Sequence, residues 1–287
     1  MQLIIQNLSK TYANGTKALG NINLEIPTGL FGLLGPNGAG KSSLMRTIAT
    51  LQDADTGSIF LDDLDVMQNK DEMRKFLGYL PQEFGVYPNI SAEDLLDHLC
   101  VLKGISNGKE RKELVKALLS QTNLYDVRKK NVGGYSGGMK QRFGIAQALI
   151  GSPKVIIVDE PTAGLDPAER NRFLNLLSEI SEQVIIIFST HIVDDVKELC
   201  TNMAVINKGE VVAKGHPQDL INSLSGKVFK RTIEKQELDH FKSQYRVISN
   251  RLSAGKTEIH ITTNNNPEQG FELATPGLED VYFDKII

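Results

Sequence analysis

The stretch GPNGAGKSS, residues 35–43, sets glycines, one lysine and two hydroxyls at the spacing G-x-x-x-x-G-K-[ST]. That pattern is the signature of a loop wrapped around a polyphosphate. Glycine lets the backbone bend until successive N–H groups point inward at phosphate oxygens. Gly35, Pro36, Asn37, Gly38, Ala39 and Gly40 would form the cradle. Lys41 would bring a charge to the β- and γ-phosphates, Ser42 a hydroxyl for Mg2+, and Ser43 completes the run. A second stretch, VIIVDEPTAGLDP, places Asp159 at the end of an apolar run, where a carboxylate can hold the metal through its water shell. Glu160 comes next, and a carboxylate beside the γ-phosphate can orient or activate an attacking water. His191, in FSTHIVDDVKEL, follows the next apolar run. In a parallel sheet it would share the edge where Asp159 ends, which is where such sheets bind ligands. A histidine there is equally at home as an ordinary helix-start residue.

A further anion site is written into GGYSGGMKQRFGIAQALI, residues 133–150. Ser136, Gly137 and Gly138 open a run with helical spacing, and a helix start offers free N–H groups and a positive end. Why one chain needs two anion sites is the question its residues raise.

The elements needed to hold these groups can be read from periodicity. NINLEI alternates Ile22, Leu24 and Ile26, as a half-buried strand does, and LFGLLG is a short buried strand feeding the glycine loop. From Lys41 the period turns helical, with Leu44, Met45, Ile48 and Leu51 on one face, and GSIFLDD reads as strand again. From about residue 83 to 150 the pattern is mostly helical, with stripes at Leu95, Leu96, Leu99 and Leu102 and at Leu114, Val115, Leu118 and Leu119. VIIV and VIIIF are continuous apolar strands that suit a parallel sheet covered on both faces. Between them Phe173, Leu176, Leu177 and Ile180 mark the helix of a βαβ unit. MAVINKGEVVAKG predicts a hairpin turning at Asn207, Lys208 and Gly209. The character shifts near residues 217–226, and the tail reads as a small α+β appendage ending in a short helix.

A chain of 287 residues with 40% hydrophobic and 23% charged residues can bury a sizeable core. A net charge of −3 does not suit a sequence-independent nucleic-acid binder, so no direct nucleic-acid partner is expected. No apolar run approaches bilayer length, and MQLIIQNLSKTY lacks the pattern of a secretory signal. Cys100 and Cys200 sit far apart without CxxC context and read as buried free thiols. The expectation is a cytoplasmic protein that reaches a membrane, if at all, through a partner.

Five separated segments, in order, resemble the ATP-binding subunit of ABC transporters over about residues 1–220. The resemblance implies an α/β P-loop NTPase of ABC type: a mostly parallel core sheet, an N-terminal antiparallel β subdomain, a helical subdomain at about residues 83–150, and a small C-terminal α+β domain at residues 221–287. It implies that Tyr12 stacks on adenine, and that Gln82 contacts Mg2+ and senses the membrane partner. It further implies that His191 touches the γ-phosphate, that Glu160 is the general base, and that the loop with Asp166 crosses to a second subunit. The family signature, usually Leu-Ser-Gly-Gly-Gln, stands here as Tyr135-Ser136-Gly137-Gly138-Met139. In the family this segment binds the γ-phosphate of ATP held by the opposite subunit, which would answer why there are two anion sites. Tyr135 and Met139 depart from the pattern, while the anion-binding part is intact. TPGLEDVYFDKI resembles, over a shorter pattern, the C-terminal extension of ATPase subunits from exporters with a separate six-helix permease.

The implied function is ATP hydrolysis by a dimer closing around two Mg-ATP to drive a permease. The second subunit would be identical or a paralogue, and the pair would sit on the inner face of the cell membrane. A soluble ABC-type ATPase acting on nucleic acid or ribosomes is the alternative. Such proteins tend to carry two linked ATPase domains or a long coiled coil, and this chain has one phosphate loop and no sustained heptads. A GTP switch is a third reading, from NKGE at residues 207–210, but that segment suits a hairpin turn better.

Overall fold

The computed structural model describes residues 1–82, 85, 87–253 and 255–287. The N-terminal alternation builds β1 (Gln2–Thr11), β2 (Lys17–Pro27), β4 (Thr56–Leu61) and β5 (Leu64–Asp65). They form an antiparallel sheet in the order β2-β1-β4-β5. In β2, buried Ile22, Leu24 and Ile26 alternate with exposed Asn23 and Glu25, so one face is turned to the core.

The second sheet runs β10-β9-β3-β8-β7-β6. Its strands are β3 (Gly29–Leu34), β6 (Leu77–Leu80), β7 (Val155–Asp159), β8 (Ile185–Thr190), β9 (Asn202–Asn207) and β10 (Glu210–Gly215). All neighbours are parallel except β10, which folds back on β9 through Lys208 and Gly209, both with positive φ. Two positive φ values in a two-residue loop match the right-handed twist of the strands. Every residue of β7 and β8 is buried, because both sheet faces are covered. One face packs on α6 (Pro167–Ser181) and α7 (Val193–Leu199). The other packs on α1 (Lys41–Ile48) and the antiparallel sheet.

Between β6 and β7 lies a helical layer of α3 (Ala92–Leu102), α4 (Gly108–Gln121) and α5 (Gly137–Ala148), with α2 (Lys70–Lys75) before β6. The layer has its own core of Leu95, Leu96, Leu118, Leu119, Tyr135 and Phe143. Ser91, Asn107 and Ser136 each accept a backbone N–H and cap these helices.

The C-terminal part holds α8 (Pro217–Asn222), β11 (Val228–Ile233), α9 (Leu238–Gln244), β12 (Val247–Ser253), β13 (Lys256–Thr262), β14 (Glu272–Leu273) and α10 (Leu278–Ile286). Its sheet, β12-β13-β11-β14, is antiparallel and closes over Ile233, Phe241, Ile259 and Ile261. Helix α10 does not stay with that small core. Leu278, Val281 and Tyr282 are buried in the same cluster as Val196, Met203 and Val205 of the central sheet layer.

Two leucines depart from the stripes expected of them. Leu51 is exposed, because α1 stops at Ile48 and the chain turns through Thr50 at φ 58. Leu102, in the last turn of α3, is also exposed and borders an open cleft with Leu77, Tyr79 and Leu99 instead of the core. Cys100 and Cys200 are free and buried in different layers, and burial pushes the Cys200 thiol up to about 12.

Candidate functional site

The parallel register brings the strand ends level. Leu34 pairs with Thr190, Asp159 with Ser189 and Leu80 with Val158. The residues that follow those strands therefore converge on one sheet edge, the edge where parallel sheets bind ligands.

The glycine loop joins β3 to α1. Gly38 and Gly40 have φ of 78° and 111°, a region that side chains rarely adopt. A Cβ on Gly35 would lie 2.4 Å from the Ile206 carbonyl, and one on Gly40 2.5 Å from that of Ala18. The glycines are thus required by close backbone approach as well as by curvature. Helix α1 starts with no side-chain cap and no acid in its first turn. Its first N–H groups are left for an anion, with the helix dipole behind them. Lys41 is buried, and its ammonium donates to Gly35 O at 2.6 Å and Pro36 O at 3.3 Å. Burial lowers its pKa, with Glu160 and Asp159 pulling the other way.

Glu160 is the meeting point. Its Oε1 lies 3.9 Å from Lys41 Nζ, and its Oε2 is 3.2 Å from His191 Nδ1 and accepts from Gln82 Nε2 at 3.4 Å. Glu160 itself is held at φ 47°, uncommon for a residue with a side chain and a form of strain found at functional sites. A cleft of about 460 Å³ is lined by Tyr12, the loop residues 36–43, Gln82 and Glu160. Of the stretch that follows Gln82, Glu83, Phe84 and Val86 lie outside the described residues.

Asp159 accepts from the Ser42 hydroxyl at 3.3 Å. The buried Ser189 hydroxyl, opposite Asp159 in the register, lacks a hydrogen-bond partner of good geometry. Oxygen donors in this number fit Mg2+, which takes one or two carboxylates plus substrate phosphates and keeps several waters. Among the described residues no cluster of three His, Cys, Asp or Glu could form an all-protein cage. Burial, and then the neighbouring Glu160 charge, hold the Asp159 carboxyl above its ordinary value of 3.8. Ionised Asp159 therefore costs stability at neutral pH, a cost that shrinks as pH falls through its raised folded pKa and is gone below 3.8, where the folded and unfolded carboxyls are both neutral. Asp159→Asn should raise the melting temperature of the nucleotide-free chain at pH 7, by an amount that shrinks as pH is lowered. It should also weaken Mg2+-dependent hydrolysis by about 10- to 100-fold. Calorimetry across pH, and rates against Mg2+ concentration, check the two halves.

A polar network behind the site has no motif in the sequence. Asp195 of α7 is fully buried and accepts from Thr162 Oγ1 at 2.8 Å and Arg170 Nε at 2.7 Å, with Thr190 Oγ1 at 3.5 Å. Thr162 lies just past Glu160 and Thr190 just before His191, so one carboxylate ties both segments to α6. Arg170→Met leaves that charge buried with too few partners and should destabilise the fold by about 3 kcal/mol, read by chemical denaturation.

Tyr12 stands just past β1, with its hydroxyl 2.9 Å from Ser43 Oγ and 3.1 Å from Gln52 Oε1. Ser136, Gly137 and Gly138 are elsewhere. They form the start of α5 against α6 and do not line the cleft. Ser136 Oγ accepts from Met139 N at 3.2 Å, so one N–H of that helix start is already satisfied. A Cβ on Gly138 would sit 2.3 Å from Glu169 Oε2, which gives that glycine a packing reason of its own. Tyr135 is a core residue that donates to Val127 O at 3.0 Å and meets Phe143 edge-on, and Met139 packs on the same core. Both departures at the signature are thus absorbed by the helical layer. Asp166 caps α6 by accepting from Glu169 N at 2.9 Å.

Comparison with known proteins agrees with this geometry. Residues 19–163 match the family model described as ABC transporter. The linearmycin resistance ATP-binding protein LnrL of Bacillus subtilis is 33% identical, over 77% of this chain and 71% of its own length. The methionine import ATP-binding protein MetN of Histophilus somni is 35% identical, over 82% of this chain and 69% of its own. Among solved structures, the dimeric post-hydrolysis state of the ATP-binding cassette MJ0796, bound to ADP and Pi, superposes with a TM-score of 0.67. It is 26% identical and covers 75% of this chain and 98% of that one. A phosphate loop, an adjoining acidic pair and a parallel sheet that presents both, together with these matches, identify the chain as a member of the ABC transporter family, an ATPase of its ATP-binding subunits.

Proposed function

We propose that two such chains close head to tail around two Mg-ATP and drive an integral membrane permease, in the direction of export. One observation carries the reading. The cleft holds the phosphate loop, Gln82 and Glu160, yet the start of α5, the chain's other anion-binding candidate, does not line it. Each chain then has two half-sites, and Ser136, Gly137 and Gly138 of one copy face the γ-phosphate bound by the other.

Within one half-site, the loop N–H groups and Lys41 bind the phosphates, and Tyr12 stacks on the adenine. Ser42, Asp159 and Gln82 would hold Mg2+, which when bound would neutralise charge on the phosphate oxygens. Glu160 orients the attacking water and accepts its proton. His191, donating from Nδ1 to Glu160 in the present geometry, keeps the carboxylate aimed, and it would reach the γ-phosphate from Nε2 only as the imidazolium, in which both nitrogens donate. Closure moves the helical layer, which is joined to β6 through Gln82, and that motion is what a permease would feel.

Among the described residues no helix is long and apolar enough to cross a membrane, and in this reading a membrane-spanning permease supplies the pathway. The tail resemblance and the resistance-named relative favour export, while the import-named relative pulls the other way. Affinity purification of Glu160→Gln with ATP from detergent-solubilised native membranes tests the proposal. A stoichiometric polytopic membrane protein is expected, and its sequence would report the direction. Recovery of ribosomal or DNA-associated partners alone would contradict the transport reading.

A further inference from the structure

We infer that Gln52 is a positioning residue for the nucleotide base: it locks Tyr12 to the first turn of the phosphate-binding helix. The inference rests on the reading of Tyr12 as the adenine platform. The hydrogen-bond polarity can be worked out from the acceptors. Gln52 Nε2 lies 2.9 Å from Ser43 O and 3.0 Å from Thr47 Oγ1. A carbonyl can only accept, so the nitrogen must face it. Thr47 gives its own hydrogen to Ser43 O at 2.8 Å, which leaves its oxygen free to accept from Gln52. Both amide hydrogens are then used, and Oε1 is turned to Tyr12, 3.1 Å away. The Tyr12 hydroxyl must donate there, so it accepts from Ser43 Oγ at 2.9 Å.

The result is a closed set of bonds in which every polar hydrogen has a direction. It joins the residue after β1, the first turn of α1 and the loop before β4. Tyr12 lies at a turn whose backbone is tied by Tyr12 N to Thr16 O and Gly15 N to Tyr12 O, but those bonds leave its side-chain torsions free. The hydroxyl contacts fix them. Ser43 directly follows Ser42, so the span from base platform to phosphate cradle is set by bonds among the chain's own side chains. An ordered platform binds more tightly than one that must be ordered on binding.

The test compares binding of ATP with binding of inorganic tripolyphosphate, which has no base, for Gln52→Leu, Tyr12→Phe, the double variant and Tyr12→Ala. Gln52→Leu should raise the Kd and KM for ATP about fivefold, the scale of one net hydrogen bond, and leave kcat and tripolyphosphate binding unchanged. Tyr12→Phe should raise the Kd for ATP by a similar factor, and the double variant should add little to either, because both remove one coupled unit. Equal weakening of ATP and tripolyphosphate by Gln52→Leu would overturn the inference, since the residue would then be shaping the phosphate loop. Weak ATP binding by Tyr12→Ala with normal binding by Gln52→Leu would overturn the role of Gln52 alone. Normal ATP binding by Tyr12→Ala would overturn the platform reading as well.

Discussion

Replacing Glu160 with glutamine is expected to slow ATP turnover by about 100- to 10,000-fold, the usual contribution of a positioned general base. ATP binding should be retained. The change keeps the shape of the side chain and removes only its charge and basicity. Among the described residues, Glu160 is the one in the cleft approached by Lys41, Gln82 and His191, which follow three different strands. A neutral amide there cannot take a proton from water. It also removes a negative charge near Lys41 and the incoming γ-phosphate, so affinity should stay level or rise. The loop, the helix start and Lys41 are untouched. Steady-state hydrolysis and equilibrium nucleotide binding, measured on one preparation, separate the two effects. Turnover close to that of the parent chain would remove Glu160 from the chemistry.

Lys41→Ala is expected to act in the opposite manner, on binding before chemistry. The ammonium is buried and its pKa is lowered first by that burial, so it presents a poorly hydrated charge to a phosphate. It also bonds to the carbonyls of Gly35 and Pro36, which holds the loop open in the curved form. Losing both should weaken ATP by at least about 100-fold, or about 2.8 kcal/mol. The fold should survive, because the variant removes a charge that burial disfavours. Lys41→Arg should not rescue binding, since a planar guanidinium is larger and differently aimed than the ammonium in that slot. Titration calorimetry with ATP, beside a melting curve, reads both expectations.

Much of this site was legible because its chemistry is local in the chain. The cradle needs glycines and a lysine within nine residues, and the strand ends need an apolar run directly before Asp159 and another ending two residues short of His191. Both leave a spacing that can be read. Gln52 and Asp195 leave none. Gln52 meets Tyr12 across 40 positions, and Asp195 meets Thr162 across 33. A polar residue that works through hydrogen bonds to distant positions looks, in sequence, like any loop or helix-surface residue. Tyr135 shows a related limit. Judged against a motif it is a departure, while judged by its neighbours it is a core aromatic with its hydroxyl satisfied by Val127. The tail shows a third. Its shift in composition is visible near residues 217–226, but Leu278, Val281 and Tyr282 carry no sign of which core they will join. Leu51 and Leu102 kept the helical period after the packing that explains it had ended.

The central claim is that the start of α5 completes a cleft on a second copy. Light scattering of Glu160→Gln, with and without Mg-ATP, tests it most directly when Ser136→Arg is added in a second preparation. The account predicts a doubling of mass with Mg-ATP for Glu160→Gln alone. It predicts no doubling once Ser136→Arg blocks the helix start, although that protein still binds ATP in its own cleft. An unchanged monomer that binds ATP in the first preparation, or a full dimer in the second, would contradict it.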